Sequence, residues 1–266
     1  MMDAPPLDGF EARPFDALGE TRVVYRRGSG PGVLVMHEAP GITPEVAGFA
    51  RKVADAGYTV DLPLLFGVPG KPLSPGYVLS SLGRACISRE FHVLASHASS
   101  PITNWLRELA RALHAEAGGP GVGAIGMCLT GNFALALMME PCLLAPVLSQ
   151  PSLPFGLTPA KSRALHVSEE ELANAKRRSA DGATVLGLRF SGDPLCKAAR
   201  FETLRRELGE GFEGIEIDSS PGNPHGIGRM AHSVVTTDLV DEEGHPTRAA
   251  YDRVMALFDE RLRPSA

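Results

Sequence analysis

Two hydrophobic periods alternate along the chain. GVLVM at 32–36 is an unbroken apolar run of strand length, with Val33 to Met36 as the buried strand, and PEVAGFARKVADAGY then places apolar residues at helical spacing until Gly57 closes the helix. YTVDLPLLFG alternates as a second strand and runs into a Pro-rich loop. ITNWLRELARALHAEAG is an amphipathic helix stopped by GGP, and VGAIGM is the next strand. No proline follows Cys128 until Pro141, so the pattern predicts a helix there. APVLSQP is a candidate strand, followed by the helical SEEELANAKRRSADG, the strand TVLGLRFSG, the helix CKAARFETLRREL and the strand GFEGIEID. HPTRAAYDRVMALFDERL forms a last helix with its cap near Thr247. Strands alternating with helices at these lengths predict an α/β fold, a mostly parallel central sheet with helices on both faces. Residues 67–100 carry Pro, Gly and Ser with weak periodicity and are expected to cover the site rather than to build the core.

Composition narrows the function. The chain has 266 residues, 44% of them hydrophobic, which suits one domain over residues 1–266 built on a single large core. Its 26 Lys and Arg against 31 Asp and Glu form no basic stripe, so a nucleic-acid partner is not expected. The first residues, MMDAPPLDGFEARPFD, have no basic start or apolar run, and no later stretch reaches roughly 18 apolar residues; membrane association is not expected and a cytoplasmic location is. Cys86, Cys128, Cys142 and Cys196 are widely spaced without a C-x-x-C pair, which points to reduced thiols rather than disulfides or a zinc ribbon. No metal or other cofactor is expected, and a monomer or a homodimer would both suit this composition.

Cys128 is the residue with the strongest chemical setting. It follows the strand VGAIGM and precedes helix formers, at the carboxyl end of a parallel strand, where ligand crevices form. A nucleophile there sits on a very sharp turn, and Gly126 and Gly131 relieve the clashes, although Thr130 stands where the commoner pattern has glycine. The positive end of the backbone dipole at a helix start favours a thiolate. Gly121, Gly123 and Gly126 also spell G-x-G-x-x-G, but they run through the strand instead of following it, which argues against a dinucleotide site. TVLGLRFSGD ends at Asp193, a candidate orienting acid, and the stretch PGNPHGIGRMAHS after the last strand supplies His225 and His232 as alternative bases. The chain order is nucleophile, acid, histidine.

HEAPG, GMCLTG, FSGDP and the late His-bearing loop resemble the dienelactone hydrolase family, cysteine-dependent α/β-hydrolases, over about residues 20 to 262. The resemblance implies hydrolysis of a small lactone or carboxylic ester through a Cys128, His and Asp193 triad and an acyl-thioenzyme, with the substrate as the small-molecule partner. It implies that Glu38, in HEAPG, contacts the resting thiol and is released when substrate binds, and that the backbone N–H groups of Leu129 and Ala39 form the oxyanion hole. PGNPHGI resembles the family ending that would make His225 the base; AHSVVTTDLVDEEGHPTRAAYDRVMALF resembles the stretch that would make it His232, the reading preferred here. Family members hold a substrate carboxylate with arginines, for which Arg89 and Arg229 are the candidates. The alternative is a hydrolase-like domain that binds a metabolite or a protein without chemistry, a reading that Thr130 and the two histidines keep open.

Overall fold

A computed structural model of the chain describes residues 5–78 and 100–263. Among these, eight strands form one sheet: β1 (Glu11–Ala17), β2 (Glu20–Arg27), β3 (Gly32–Met36), β4 (Thr59–Pro63), β5 (Val122–Met127), β6 (Leu143–Ser149), β7 (Val185–Phe190) and β8 (Phe212–Ile217). Their order is β1-β2-β4-β3-β5-β6-β7-β8. The run from β4 to β8 is parallel, as the alternating pattern predicts, and β1 and β2 add an antiparallel edge. That hairpin turns at Leu18 and Gly19, both at positive φ, and its sequence lacks the apolar run of the inner strands. Its inner strand is held by charge: the Arg26 guanidinium grips the buried Asp61 carboxylate of β4 with contacts of 2.6 and 2.7 Å.

The unbroken apolar runs arise because both faces of the sheet are covered. Along β3, Val33 and Val35 enter one core while Leu34 and Met36 enter the other; along β5, Ile125 and Met127 oppose Val122 and Ala124 in the same way. The first core is closed by α1 (Pro44–Asp55) and the C-terminal helix α7 (Pro246–Leu262), through residues such as Phe49, Val53, Leu257 and Phe258. The second is closed by α2 (Pro101–Ala117), with Trp105, Leu106 and Leu109, and by the short helix α3 (Phe133–Ala136). Helix starts follow local chemistry. Thr43 and Ser100 accept from amides three residues on, each ahead of a proline at the first helical position. The last helix is capped by His245 rather than Thr247, whose amide the His245 side chain accepts.

Two differences from the sequence pattern affect the site. The helix expected after Cys128 is broken into a 3-10 turn (Cys128–Thr130), the four-residue α3 and a second 3-10 turn (Leu137–Met139). Packing on all sides replaces helix length here, since Phe133 to Met138 are buried throughout. Residues 151–168, including α4 (Pro159–Arg163), wrap over the sheet ahead of α5 (Glu169–Ala180). Of the expected cover, 67–100, residues 79–99 lie outside the described residues, with Cys86, Arg89, His92 and His97 among them.

The wrapping segment is tied down from within by Arg200, on α6 (Ala198–Leu208). Its guanidinium is buried and donates to the carbonyls of Pro151, Pro154, Lys161 and Ala164 at 2.5 to 2.9 Å, and burial lowers its pKa. Replacing it with an apolar chain would strand those acceptors. Arg200→Met is therefore expected to destabilise the protein by about 3 kcal/mol or more, measured by urea unfolding; a loss below about 1 kcal/mol would show that these bonds contribute little.

Candidate active site

The cluster forms where the parallel strands end. Cys128 is the first residue after β5 and has a φ of +52°, a left-handed bend that a side-chain-bearing residue adopts only when its surroundings enforce it. Two glycines make that bend possible. A Cβ on Gly126 would lie 2.1 Å from the Thr130 carbonyl oxygen, and one on Gly131 would lie 2.5 Å from Pro151 Cα. Thr130 takes the place of the expected glycine and braces the turn. Its Oγ1 accepts from the Met127 amide at 2.9 Å and lies 2.9 Å from the Met36 carbonyl oxygen, joining the ends of β5 and β3. Leu129 lies within the first 3-10 turn, among the amides without a helical acceptor. Ala39, Phe66, Leu153 and Phe155, all partly buried, pack against Cys128 and Leu129.

Asp193 follows the end of β7 and is buried. Its Oδ1 accepts from the amides of Leu195 and Cys196 at 2.8 and 3.1 Å, which aims Oδ2 at His232 Nδ1, 2.7 Å away. His232 sits on the long connection between β8 and α7, and its Nε2 is buried with no hydrogen-bond partner among the described residues. Burial alone would lower its pKa, but the Cys128 sulfur and the Asp193 carboxylate outweigh burial and hold it well above the ordinary 6.5. The turn carrying His232 is fixed by Asp238, whose Oδ2 accepts from the amides of His232 and Ser233, both at 2.9 Å.

Glu38 is buried beyond the end of β3. Its partners are Gln150 Nε2 at 3.2 Å, Ser233 Oγ at 2.6 Å and Thr236 Oγ1, with no hydrogen bond to the Cys128 thiol among the described residues. That arrangement differs from the thiol contact that the family resemblance implies: the oxygens are taken up by hydroxyls of the turn bearing His232. Burial raises the Glu38 pKa, and His232 and the three donors partly offset it. The neighbouring His37 is buried and neutral. Its Nε2 accepts from the Leu65 amide at 3.1 Å, which leaves Nδ1 to donate to the Glu38 carbonyl at 3.0 Å, and burial lowers its pKa to about 4.

Two further candidates are exposed and take no part in these hydrogen bonds. His225 is exposed and stacks edge-on against His245, with ring centroids 5.2 Å apart. The Asn223 side chain folds this loop on itself by accepting from the His225 and Ile227 amides, and the imidazole that bonds to Asp193 is that of His232. Arg229 is exposed on the same loop, and Arg89 lies outside the described residues. Gln150, Ser233, Thr236, Asp238 and the bracing role of Thr130 escape a reading of the sequence. The hydroxyl-rich AHSVVTTD is the one local signal that could expose part of this set. Among the described residues no group of three or more His, Cys, Asp or Glu side chains could hold a metal, and no helix is long and apolar enough to cross a membrane. Cys142 and Cys196 are free thiols; burial raises the pKa of both, that of Cys196 to about 12.

The family model described as dienelactone hydrolase family matches residues 20–262. Among solved structures, a Klebsiella pneumoniae protein assigned as a dienelactone hydrolase superposes with a TM-score of 0.63 at 19% identity, over 95% of this chain and 100% of that one. Dienelactone hydrolase from Anabaena variabilis gives 0.59 at 14% identity, over 96% and 98%. A dienelactone hydrolase-like promiscuous phosphotriesterase from metagenomic libraries gives 0.57 at 18% identity, over 96% and 99%. At these identities the structural likeness establishes the fold. No curated protein sequence matches the chain.

The geometry around His232 and the elbow can be tested separately. Because the folded-state pKa of His232 is raised, its contribution to stability is complete below about 6.5 and fades as pH rises through the elevated value. Imidazole NMR is expected to find His232 titrating above 6.5 and moving down in Asp193→Asn; an unchanged midpoint would refute the coupling. Gly126→Ala is expected to destabilise by about 2 kcal/mol or more, whereas Gly48→Ala, in α1 with open space around it, stabilises by about 0.5–1 kcal/mol. Equal melting temperatures for the two variants would contradict the close approach at the turn.

Proposed function

Because the chain belongs to the dienelactone hydrolase family, whose members cleave ester bonds, we propose that it hydrolyses a small lactone or carboxylic ester through Cys128, His232 and Asp193. The observation that carries this reading is the 2.7 Å bond from His232 to Asp193, together with the raised pKa that the Cys128 sulfur gives the same imidazole. His232 holds the proton that the Cys128 thiol gives up, and Sγ attacks the substrate carbonyl. The amides of Leu129 and Ala39 donate to the oxygen that becomes negative. When the tetrahedral adduct collapses, the carbon–oxygen bond breaks and the leaving alkoxide takes the proton from His232, leaving a thioester on Cys128. Water then attacks, His232 receives its proton, and the carbon–sulfur bond breaks to release the acid and restore the thiol with that proton. Asp193 orients the ring and stabilises its charged form throughout.

Thr130, which the binding-only reading treats as a mark of a drifted site, fits a built turn, because its hydroxyl bridges the two strands that flank the elbow. Hydrolysis of small aryl esters and enol-lactones by the intact protein and by Cys128→Ala tests the proposal. A loss of at least about 1000-fold is expected, together with selective alkylation of Cys128 by iodoacetamide near neutral pH. Equal rates in the two proteins would defeat the covalent mechanism.

A further inference from the structure

The Ala39 amide owes its direction to the ring of a neighbouring residue. The Glu38–Ala39 peptide is trans, so its carbonyl and its N–H point to opposite sides of one rigid plane. His37 Nδ1 lies 3.0 Å from the Glu38 carbonyl oxygen, and the Leu65 amide donates to His37 Nε2 at 3.1 Å. A backbone amide can only donate, so Nε2 is bare and Nδ1 carries the proton that holds the carbonyl. The ring is buried, and Phe66 meets it edge-on with ring centroids 4.5 Å apart. Leu65 is itself held by Arg22, which donates to its carbonyl at 3.1 Å. Beyond Ala39 the loop is fixed too. The Ile42 carbonyl accepts from the Gly70 amide at 2.7 Å, and a Cβ on Gly67 would lie 2.2 Å from the Pro40 carbonyl oxygen. Ala39 packs against Cys128 and Leu129, which brings this loop to the elbow.

We propose that His37 is a positioning residue for the hydrolysis: by holding the Glu38 carbonyl it turns the Ala39 N–H toward the acyl oxygen that becomes negative. This rests on the hydrolase reading above. Charge that develops during a reaction is stabilised best by donors aimed beforehand, and a peptide plane free to rotate would have to reorganise at that moment. Among the described residues His37 bonds to the backbone of Glu38 and Leu65 and to neither Cys128 nor His232. Removal of the ring therefore weakens the oxyanion donor and spares thiolate formation.

Two reactions of the same sulfur separate these steps. Hydrolysis of 4-nitrophenyl acetate passes through an oxyanion, whereas alkylation of Cys128 by iodoacetamide is a displacement at carbon that forms none. His37→Leu is expected to lower kcat at least about 30-fold, with KM and the alkylation rate changed by no more than about twofold. His37→Asn, whose amide nitrogen takes the place of Nδ1, is expected to recover about tenfold of that loss. In the intact protein, imidazole nitrogen NMR is expected to find the His37 proton on Nδ1; a proton on Nε2 overturns the inference whether or not the variants fold. An unchanged kcat in His37→Leu, an alkylation rate that falls in step with kcat, or no recovery in His37→Asn also overturns it, and with Cys128→Ala inactive the hydrolase reading stands. A protein that hydrolyses the ester equally well as Cys128→Ala fails the hydrolase reading, and this inference falls with it.

Discussion

The bond between Asp193 and His232 is the contact on which the rest of the site depends. It spans 39 residues of sequence and joins the end of β7 to the connection before α7. Such a contact survives only if both partners are held before they meet, because a loose imidazole would lose entropy on every approach. The protein holds both. Asp193 is locked by two amides of its own turn, and the backbone at His232 and Ser233 is clamped by Asp238. Together these leave one nitrogen of a largely desolvated imidazole to act toward Cys128.

Charge placement around that imidazole is uneven in a way that matters. Asp193 lies on one side and Glu38 acts from another, so a protonated His232 is surrounded by acidic groups while burial opposes its charge. Glu38 stays in place because hydroxyl and amide donors satisfy it without a cation. Ser233 and Thr236 belong to the same turn as His232, so the carboxylate also helps to seat the base. A carboxylate anchored this way stabilises charge on the ring without competing for the thiol.

Much of this architecture is legible in the sequence, and the limits have physical causes. The apolar runs of β3, β5 and β7 announce themselves because both sheet faces are covered. Cys128, Asp193 and the late histidines stand out because strand ends mark where a parallel sheet places its chemistry. The β1–β2 hairpin escapes notice because its apolar run is only Val23 to Tyr25, and the pairing of Arg26 on β2 with Asp61 on β4 is a tertiary contact that no period announces. The expected helix after Cys128 fails for another reason: unbroken helix propensity carries no information about a turn enforced by close packing at Gly126 and Gly131. The choice between His225 and His232 depends on how Asn223 folds the intervening loop, a local arrangement invisible to periodicity. Ser233, Thr236 and Gln150 give no signal because short polar residues in loops acquire meaning only from the buried acid they meet.

The neutral His37 next to Glu38 has a consequence for spectroscopy. Its two ring nitrogens are occupied by backbone groups, and its pKa near 4 keeps it uncharged across the range in which His232 changes state. The site thus contains a silent imidazole beside a responsive one. Of these two imidazoles only His232 changes state above 6.5, and the strand end that carries Glu38 supplies a fixed frame against which that ring can be read.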